Sequence, residues 1–191
     1  MNGHAPGAAR TQDLFMAQAR KALATILSAA FLVATAIAPA IACTRAVFVG
    51  SDGVVITGRS MDWAEDMATN LWAFPRGMTR DGAAGPHSPR WTSRYGSVIA
   101  SGYDIGTADG LNEAGLAANL LYLAESDYGG TDGKPPLSIS LWAQYVLDNF
   151  ATTAEAVAAL RAEPLRVVTM DLPNGQCGQL HLSISDATSD S

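Results

Sequence analysis

The sequence predicts an α+β fold. Three observations carry it. Runs rich in β-branched and aromatic residues follow position 43, two helical stretches occupy the middle, and strand-like runs return toward the end.

The first strand is CTRAVFV, 43–49. SDG at 51–53 is turn chemistry, with Asp52-Gly53 a hairpin signal, and VVITGRS, 54–60, is the return strand. With Asp52 and Gly53 at the centre of the turn, Ser51 pairs with Val54 and Cys43 falls opposite Asp62. A shift of one or two residues puts Cys43 opposite Arg59 to Met61. GRSMDW, 58–63, therefore lies beside Cys43 whichever turn forms. Arg59 and Asp62 are three residues apart, so one regular pleat cannot aim both the same way, and the strand must end or bulge between them.

NLWAFPRGM (70–78) and RYGSVIAS (94–101) read as further strands, with the Gly- and Pro-rich DGAAGPHSPR as the loop between them. LNEAGLAANLLYL (111–123) reads as a turn and then a strand, and ESDYGGTDGKPP (125–136) as a long loop. SISLWAQYVLDNF (138–150) has helical periodicity, with Leu141, Tyr145 and Asp148 or Asn149 stepping round by turns. Thr152 and Glu155 have capping-box spacing ahead of AVAALRAE, a second short helix that Pro164 stops. LRVVTMDL (165–172) and QLHLSISDA (179–187) return to strand. The last run ends in DATSDS with nothing after it to pair with, which would leave a sheet edge open. No internal repeat and no interdomain linker interrupts the chain, and its 191 residues suit one domain.

Residues 1–42 have the parts of a secretory signal peptide. Arg20 and Lys21 form a basic region, ALATILSAAFLVATAIA is apolar, and Pro39 precedes the small-x-small triplet Ala40-Ile41-Ala42. The polar residues before Met16 make Met16 a candidate start. An uncleaved anchor is the alternative, at the short limit for spanning a bilayer. Cleavage after Ala42 leaves residues 43–191 as the mature domain, periplasmic or secreted, with no membrane partner. Arg10, Arg20 and Lys21 against Asp13 make the leader basic, so the body is more acidic than the whole chain's formal −6. An acidic body without a basic run argues against nucleic acid as a partner.

Cleavage after Ala42 would make Cys43 the first residue. An α-amino group has a pKa of about 7.7–8.0, so part of it is neutral at neutral pH. One residue then supplies both a nucleophile and its base. Asp62 could hold the amine, and Arg59 could favour the thiolate by its charge. A surface salt bridge is the plainer reading of Arg59 and Asp62, and their placement beside Cys43 argues against it. Lipoproteins also begin with cysteine, but they usually carry a larger aliphatic residue where Ala40 stands and a polar tether where a strand follows here. Two cysteines in an exported chain ordinarily suggest one disulfide. A bond from Cys43 to Cys177 would abolish this chemistry, so Cys177 is a free or structural thiol. His4, His87 and His181 are scattered without metal spacing, and neither metal nor cofactor is expected.

Cys43 followed by GRSMDW, NLWAFPRGM, DGLNEAGLAANLLYL (109–123) and LHLSISDATSDS resembles the choloylglycine hydrolase family over 43–191. RSMDWAEDMATNLW resembles most its exported Gram-negative penicillin acylase branch. The resemblance implies an N-terminal-nucleophile hydrolase with an αββα sandwich, incomplete at the C-terminus. It implies hydrolysis of a linear amide of the penicillin V, conjugated bile salt or N-acyl homoserine lactone type. Cys43 is then the nucleophile, its amine the base, and Arg59 and Asp62 its support. Many members donate to the oxyanion from an asparagine after the NE-x-GL motif. Tyr122 stands there, with Asn119 three residues earlier, and Tyr122 would donate or line the acyl pocket. Trp63 is a candidate wall for an apolar acyl group or an ordinary core residue. A TNSP-like asparagine and a later arginine of the family would fall after Ser191, so the chain reads as the N-terminal part of such a domain. A homotetramer would fit the family. The competing expectation is a non-catalytic exported protein, lipid-anchored or an inactive remnant.

Overall fold

The computed structural model describes residues 43–130 and 133–191, with helical positions 16, 18, 20, 21, 23 and 25 ahead of them. The chain divides into two units, Met1–Ala40 and Ile41–Ser191. The expected leader and its cleavage triplet lie outside the described residues apart from those positions. Among the described residues no helix is long and apolar enough to cross a membrane.

The second unit opens with a hairpin, β1 (Thr44–Val49) and β2 (Val55–Ser60). Its turn differs from the expected one. Gly53 N–H donates to Gly50 O at 3.0 Å, so Ser51 and Asp52 are the central residues. Gly53 takes the left-handed conformation, φ 81°, as the third loop residue. The register moves by one: Thr44 pairs with Ser60 and Arg45 with Arg59. One further step sets Cys43 opposite Met61, not Asp62.

A five-stranded sheet follows in the order β11-β8-β7-β6-β3. Its strands are β3 (Leu71–Phe74), β6 (Ser97–Gly102), β7 (Gly106–Asn112), β8 (Ala117–Tyr122) and β11 (Leu180–Ser185). The expected strand over 70–78 stops at Phe74, since Pro75 has no N–H to donate and Gly77 turns the chain with φ 84°. Beyond it β4 (Thr79–Asp81) and β5 (Arg90–Thr92) pair across the Gly- and Pro-rich segment. The expected loop 125–136 and strand 165–172 yield one short parallel pair, β9 (Pro136–Ser138) with β10 (Arg166–Val168). The final strand β11 is paired with β8 and forms the sheet edge. The DATSDS turn after it folds back: the Asp186 carboxylate accepts from Thr153 N–H at 2.7 Å and Thr188 N–H at 2.8 Å.

The helices are α1 (Trp142–Asn149), entered through a 3-10 turn at Ile139–Leu141, and α2 (Thr153–Leu160). Thr152 caps α2 by accepting from Glu155 N–H at 3.2 Å, and Glu155 reaches back to Ala151 N–H. Both helices lie on one face of the sheet. The core is there: Val146, Leu147 and Ala143 of α1 meet Ile99, Ala118 and Leu120 of the sheet. Each fully buried Val or Leu contributes about 1.5–3 kcal/mol.

Gly110 sets the spacing of these layers. A Cβ there would stand 2.4 Å from Leu147 Cδ1 and 2.8 Å from Ile99 Cγ2. The hairpin covers the opposite face. Arg45 Nε donates to Asn119 Oδ1 at 2.7 Å, Arg45 Nη2 to Ser185 Oγ at 2.6 Å, and Thr57 Oγ1 lies 2.7 Å from Ser185 Oγ. Helices, sheet and hairpin thus stack as α, β and β, the α+β sandwich class that the sequence predicts.

Candidate active site

The one-residue register shift decides which side chains share a face. Along the hairpin, Arg45, Val47, Val55, Thr57 and Arg59 point toward the sheet, and their neighbours are exposed. Cys43 and Met61 continue the half-buried pattern. Cys43 and Arg59 therefore meet at one cavity, which both line.

The cavity opens where two strands part. β7 and β8 pair only over Asp109–Leu111 and Ala117–Asn119. Past that point Gly106–Ala108 and Leu120–Tyr122 have no mutual pairing. On the other side of β7 the register skips Ala108, a bulge between Ala100 and Ser101. Residues from both parted ends line the cavity, with Cys43, Met61, Trp63 and Met67 opposite them. Its walls are almost wholly apolar.

Arg59 occupies the gap between the strands. Nη1 pairs with Asp109 Oδ2 at 3.1 Å and Nη2 donates to Leu120 O at 2.5 Å. The side chain is 9% exposed. Its Nε–H is buried and has no hydrogen-bond partner among the described residues. Asp109 is held on its other oxygen by Asn119 Nδ2 at 2.7 Å. Burial, partly offset by Asp109, lowers the Arg45 pKa from its ordinary value.

Trp63 leaves β2 in an irregular segment and turns into the cavity. Its ring stands edge-on to Tyr122, centroids 5.9 Å apart and planes at 64°. Trp63 Nε1–H donates to Tyr103 Oη at 2.7 Å, and Tyr103 O–H donates to Glu65. Tyr103 and Asp104 form the centre of the β6–β7 turn, both left-handed at φ 54° and 55°. For tyrosine that conformation is strained. The Asp104 carboxylate supports it by accepting from Ser101 Oγ at 2.6 Å, Asn70 Nδ2 at 2.7 Å and Trp72 Nε1 at 3.0 Å. These bonds, Ser101 first and Trp72 next, hold the Asp104 pKa below its ordinary value. Partial burial, then Glu65, raises that of Tyr103.

A pH dependence follows. The Asp104 contribution is present above the unfolded carboxylate pKa and is lost as pH falls through the lower folded value. Acid titration followed by near-ultraviolet circular dichroism should show the turn loosening below the ordinary carboxylate range. Asp104→Asn should flatten that transition, and an unchanged transition would refute the assignment.

The candidates from sequence fall in three places. Cys43, Arg59, Trp63 and Tyr122 line one cavity. Asn119 is buried between hairpin and sheet, both ends of its amide engaged by Arg45 and Asp109. It lines the space on the hairpin side of the sheet, not the Cys43 cavity. Asp62 is exposed, and its link to β1 runs through Ser60. Ser60 Oγ donates to Asp62 at 3.4 Å and accepts from Thr44 N–H at 3.3 Å. Cys177 is an exposed free thiol 3.6 Å from Asp171 Oδ1. Among the described residues no cluster of His, Cys, Asp and Glu could hold a metal ion.

Residues 43–191 match the profile of the linear amide C-N hydrolases, choloylglycine hydrolase family. The chain belongs to that family. As a choloylglycine hydrolase family member it is 48% identical over 189 residues to a penicillin V acylase of Pectobacterium atrosepticum, an alignment covering 92% of this chain. It spans 50% of that protein's length. The penicillin V acylase structure from Agrobacterium tumefaciens superposes with a TM-score of 0.69 at 59% identity, covering 75% of this chain and 43% of that one. A variant conjugated bile acid hydrolase from Clostridium perfringens, at 24% identity, shares the fold with a TM-score of 0.64 over 78% of this chain and 46% of its own.

Four residues in and around this site escaped the sequence reading. Met61 and Met67 look like ordinary apolar residues in a segment without periodicity. Tyr103 sits in a left-handed turn that its residue type does not announce. Arg45 was hidden by the expected register, which paired Arg59 with Ala46.

Proposed function

We propose that Cys43, once its α-amino group is freed by cleavage after Ala42, is the nucleophile of an amide hydrolysis with an apolar acyl group in the cavity. The observation that carries this reading is the meeting of Cys43 with a buried cation, Arg59, at a cavity walled by Trp63, Tyr122 and methionines. The sulfur attacks the amide carbonyl, and the α-amine takes the thiol proton. The tetrahedral oxyanion collapses, the C–N bond breaks, and the amine leaves with that proton. Water then attacks the thioester, releasing the carboxylic acid and restoring the thiol.

Among the described residues, Arg59 Nε–H is a buried donor without a hydrogen-bond partner, on a side chain that lines this cavity. It suits charge developing on sulfur or on the oxyanion. Tyr122 takes the role of pocket wall. Asn119, whose amide is engaged at both ends by Arg45 and Asp109, takes that of holding the Asp109 carboxylate for Arg59. Asp62 supports the new chain start through Ser60. A small amide with an aryloxyacetyl or similar acyl group fits the aromatic walls, in line with the names of the two acylases above. An exported setting and a homotetramer are part of the same proposal.

The test is hydrolysis of penicillin V by protein purified from its native gene, compared with Cys43→Ala. The expected loss is about a thousandfold or more in kcat. Retention of the wild-type rate would sink the nucleophile assignment. Intact mass adds a second check. A free amino-terminal cysteine is expected, and a diacylglycerol adduct on the sulfur would mark a lipoprotein instead.

A further inference from the structure

The Trp63 indole faces the cavity from a segment without helix or strand, so no backbone ladder fixes it. Residues 61–70 are tied instead to one turn. Tyr103 N–H donates to Met67 O at 2.9 Å, Asn70 Nδ2 donates to Asp104, and Trp63 Nε1–H donates to Tyr103 Oη. The direction of the last chain is forced. Indole N–H can only donate and an ionised carboxylate can only accept. The phenol between them therefore gives its one proton to Glu65 and turns a lone pair to Trp63. A carboxylate at the end of such a chain polarises the bond before it. The strained backbone at Tyr103 and Asp104 is where this chain is anchored.

We propose that Glu65 and Tyr103 are positioning residues that fix the Trp63 indole as the recognition wall for flat aromatic acyl groups. Neither touches the reacting atoms. Their effect passes through the angle at which Trp63 meets Tyr122, and so through the width of the acyl slot. A flat aryl group needs that slot held. A short flexible alkyl acyl group does not. This inference rests on the acyl-cavity reading above.

Protein from the native gene should be assayed on a phenoxyacetyl amide and a butanoyl amide of the same amine. Tyr103→Phe and Glu65→Ala should each raise KM for the phenoxyacetyl amide about three- to tenfold, the weight of one hydrogen bond, with kcat nearly constant. The butanoyl amide should change less than about twofold, so the preference collapses. Glu65→Gln keeps an acceptor for the Tyr103 proton and should restore most of the preference. Phenoxyacetate binding to the same variants, followed by calorimetry, should weaken in parallel. A Tyr103→Phe protein that keeps the aryl preference overturns the proposal. So does one that loses both substrates equally, which marks general loosening, and so does a native protein that binds no phenoxyacetate. Failure of the nucleophile reading looks different. Cys43→Ala would then still turn over, while phenoxyacetate binding would still depend on Tyr103.

Discussion

Arg59→Ala is expected to lower kcat/KM by about a hundredfold or more and to destabilise the fold by about 3–5 kcal/mol. Both effects come from one side chain with three directions of donation. Two are spent on structure, on Asp109 and on the Leu120 carbonyl at the point where β7 and β8 stop pairing. Truncation leaves a largely buried carboxylate hydrogen-bonded by Asn119, with Arg45 as its remaining nearby cation, and a carbonyl without its Arg59 donor. The third direction, Nε, is the donor left over among the described residues, on a side chain that lines the Cys43 cavity. Arg59→Lys separates the two roles. An ammonium can meet Asp109 but cannot reproduce the planar fork. That variant should fold with a smaller loss of stability and still be slow. Wild-type kcat/KM in Arg59→Lys would remove Arg59 from the chemistry. Denaturant midpoints and kcat/KM on the same preparations decide it.

Asp148→Ala should cost about 3–5 kcal/mol of stability without passing through the cavity. Asp148 is fully buried in α1. Its oxygens accept from Arg80 Nε, Trp91 Nε1 and Gln144 Nε2, each at 2.7 Å. Arg80 is 13% exposed and lies over the Phe74 ring at 4.5 Å. Alanine would strand a cation and two neutral donors in a packed interior. The β4–β5 hairpin would also lose its anchor to α1. The denaturation midpoint should fall while the slope with denaturant is kept. Folded Asp148→Ala protein should keep its KM. A shift of less than about 1 kcal/mol would show that the network contributes little beyond packing.

Particular residues show how much of this was legible beforehand. The hairpin announced itself through β-branched residues around Asp52-Gly53. Its register did not, because a two-residue turn and a three-residue loop use the same letters. That one step moved Cys43 from opposite Asp62 to opposite Met61 and put Cys43 and Arg59 on one face. Asp62 then falls on the exposed side. β7, GTADGLN, carries almost no strand signal. Its residues are small because α1 lies close, as the Gly110 approach to Leu147 shows, and that demand comes from tertiary packing. The Thr152 cap and the presence of a helix at α1 were local and legible, but its buried face runs through Ala143, Val146 and Leu147 rather than the expected Leu141 and Tyr145. Tyr103 was invisible because the constraint that selects it lies in Trp63 and Glu65, some 40 residues earlier in sequence.

The parted strands carry a consequence for how this protein can change. In most sheets a missing ladder bond is closed by water or by another strand. Here the rung that β7 and β8 lack is the Arg59 guanidinium itself. A mutational screen for thermal robustness and one for turnover should therefore both penalise most replacements at position 59. Replacements there cannot exchange activity for robustness, because one guanidinium both bridges the parted strands and lines the Cys43 cavity. Improvement by directed evolution should come instead from the cavity walls, Met61, Met67 and Tyr122, where side-chain shape can vary without opening the sheet.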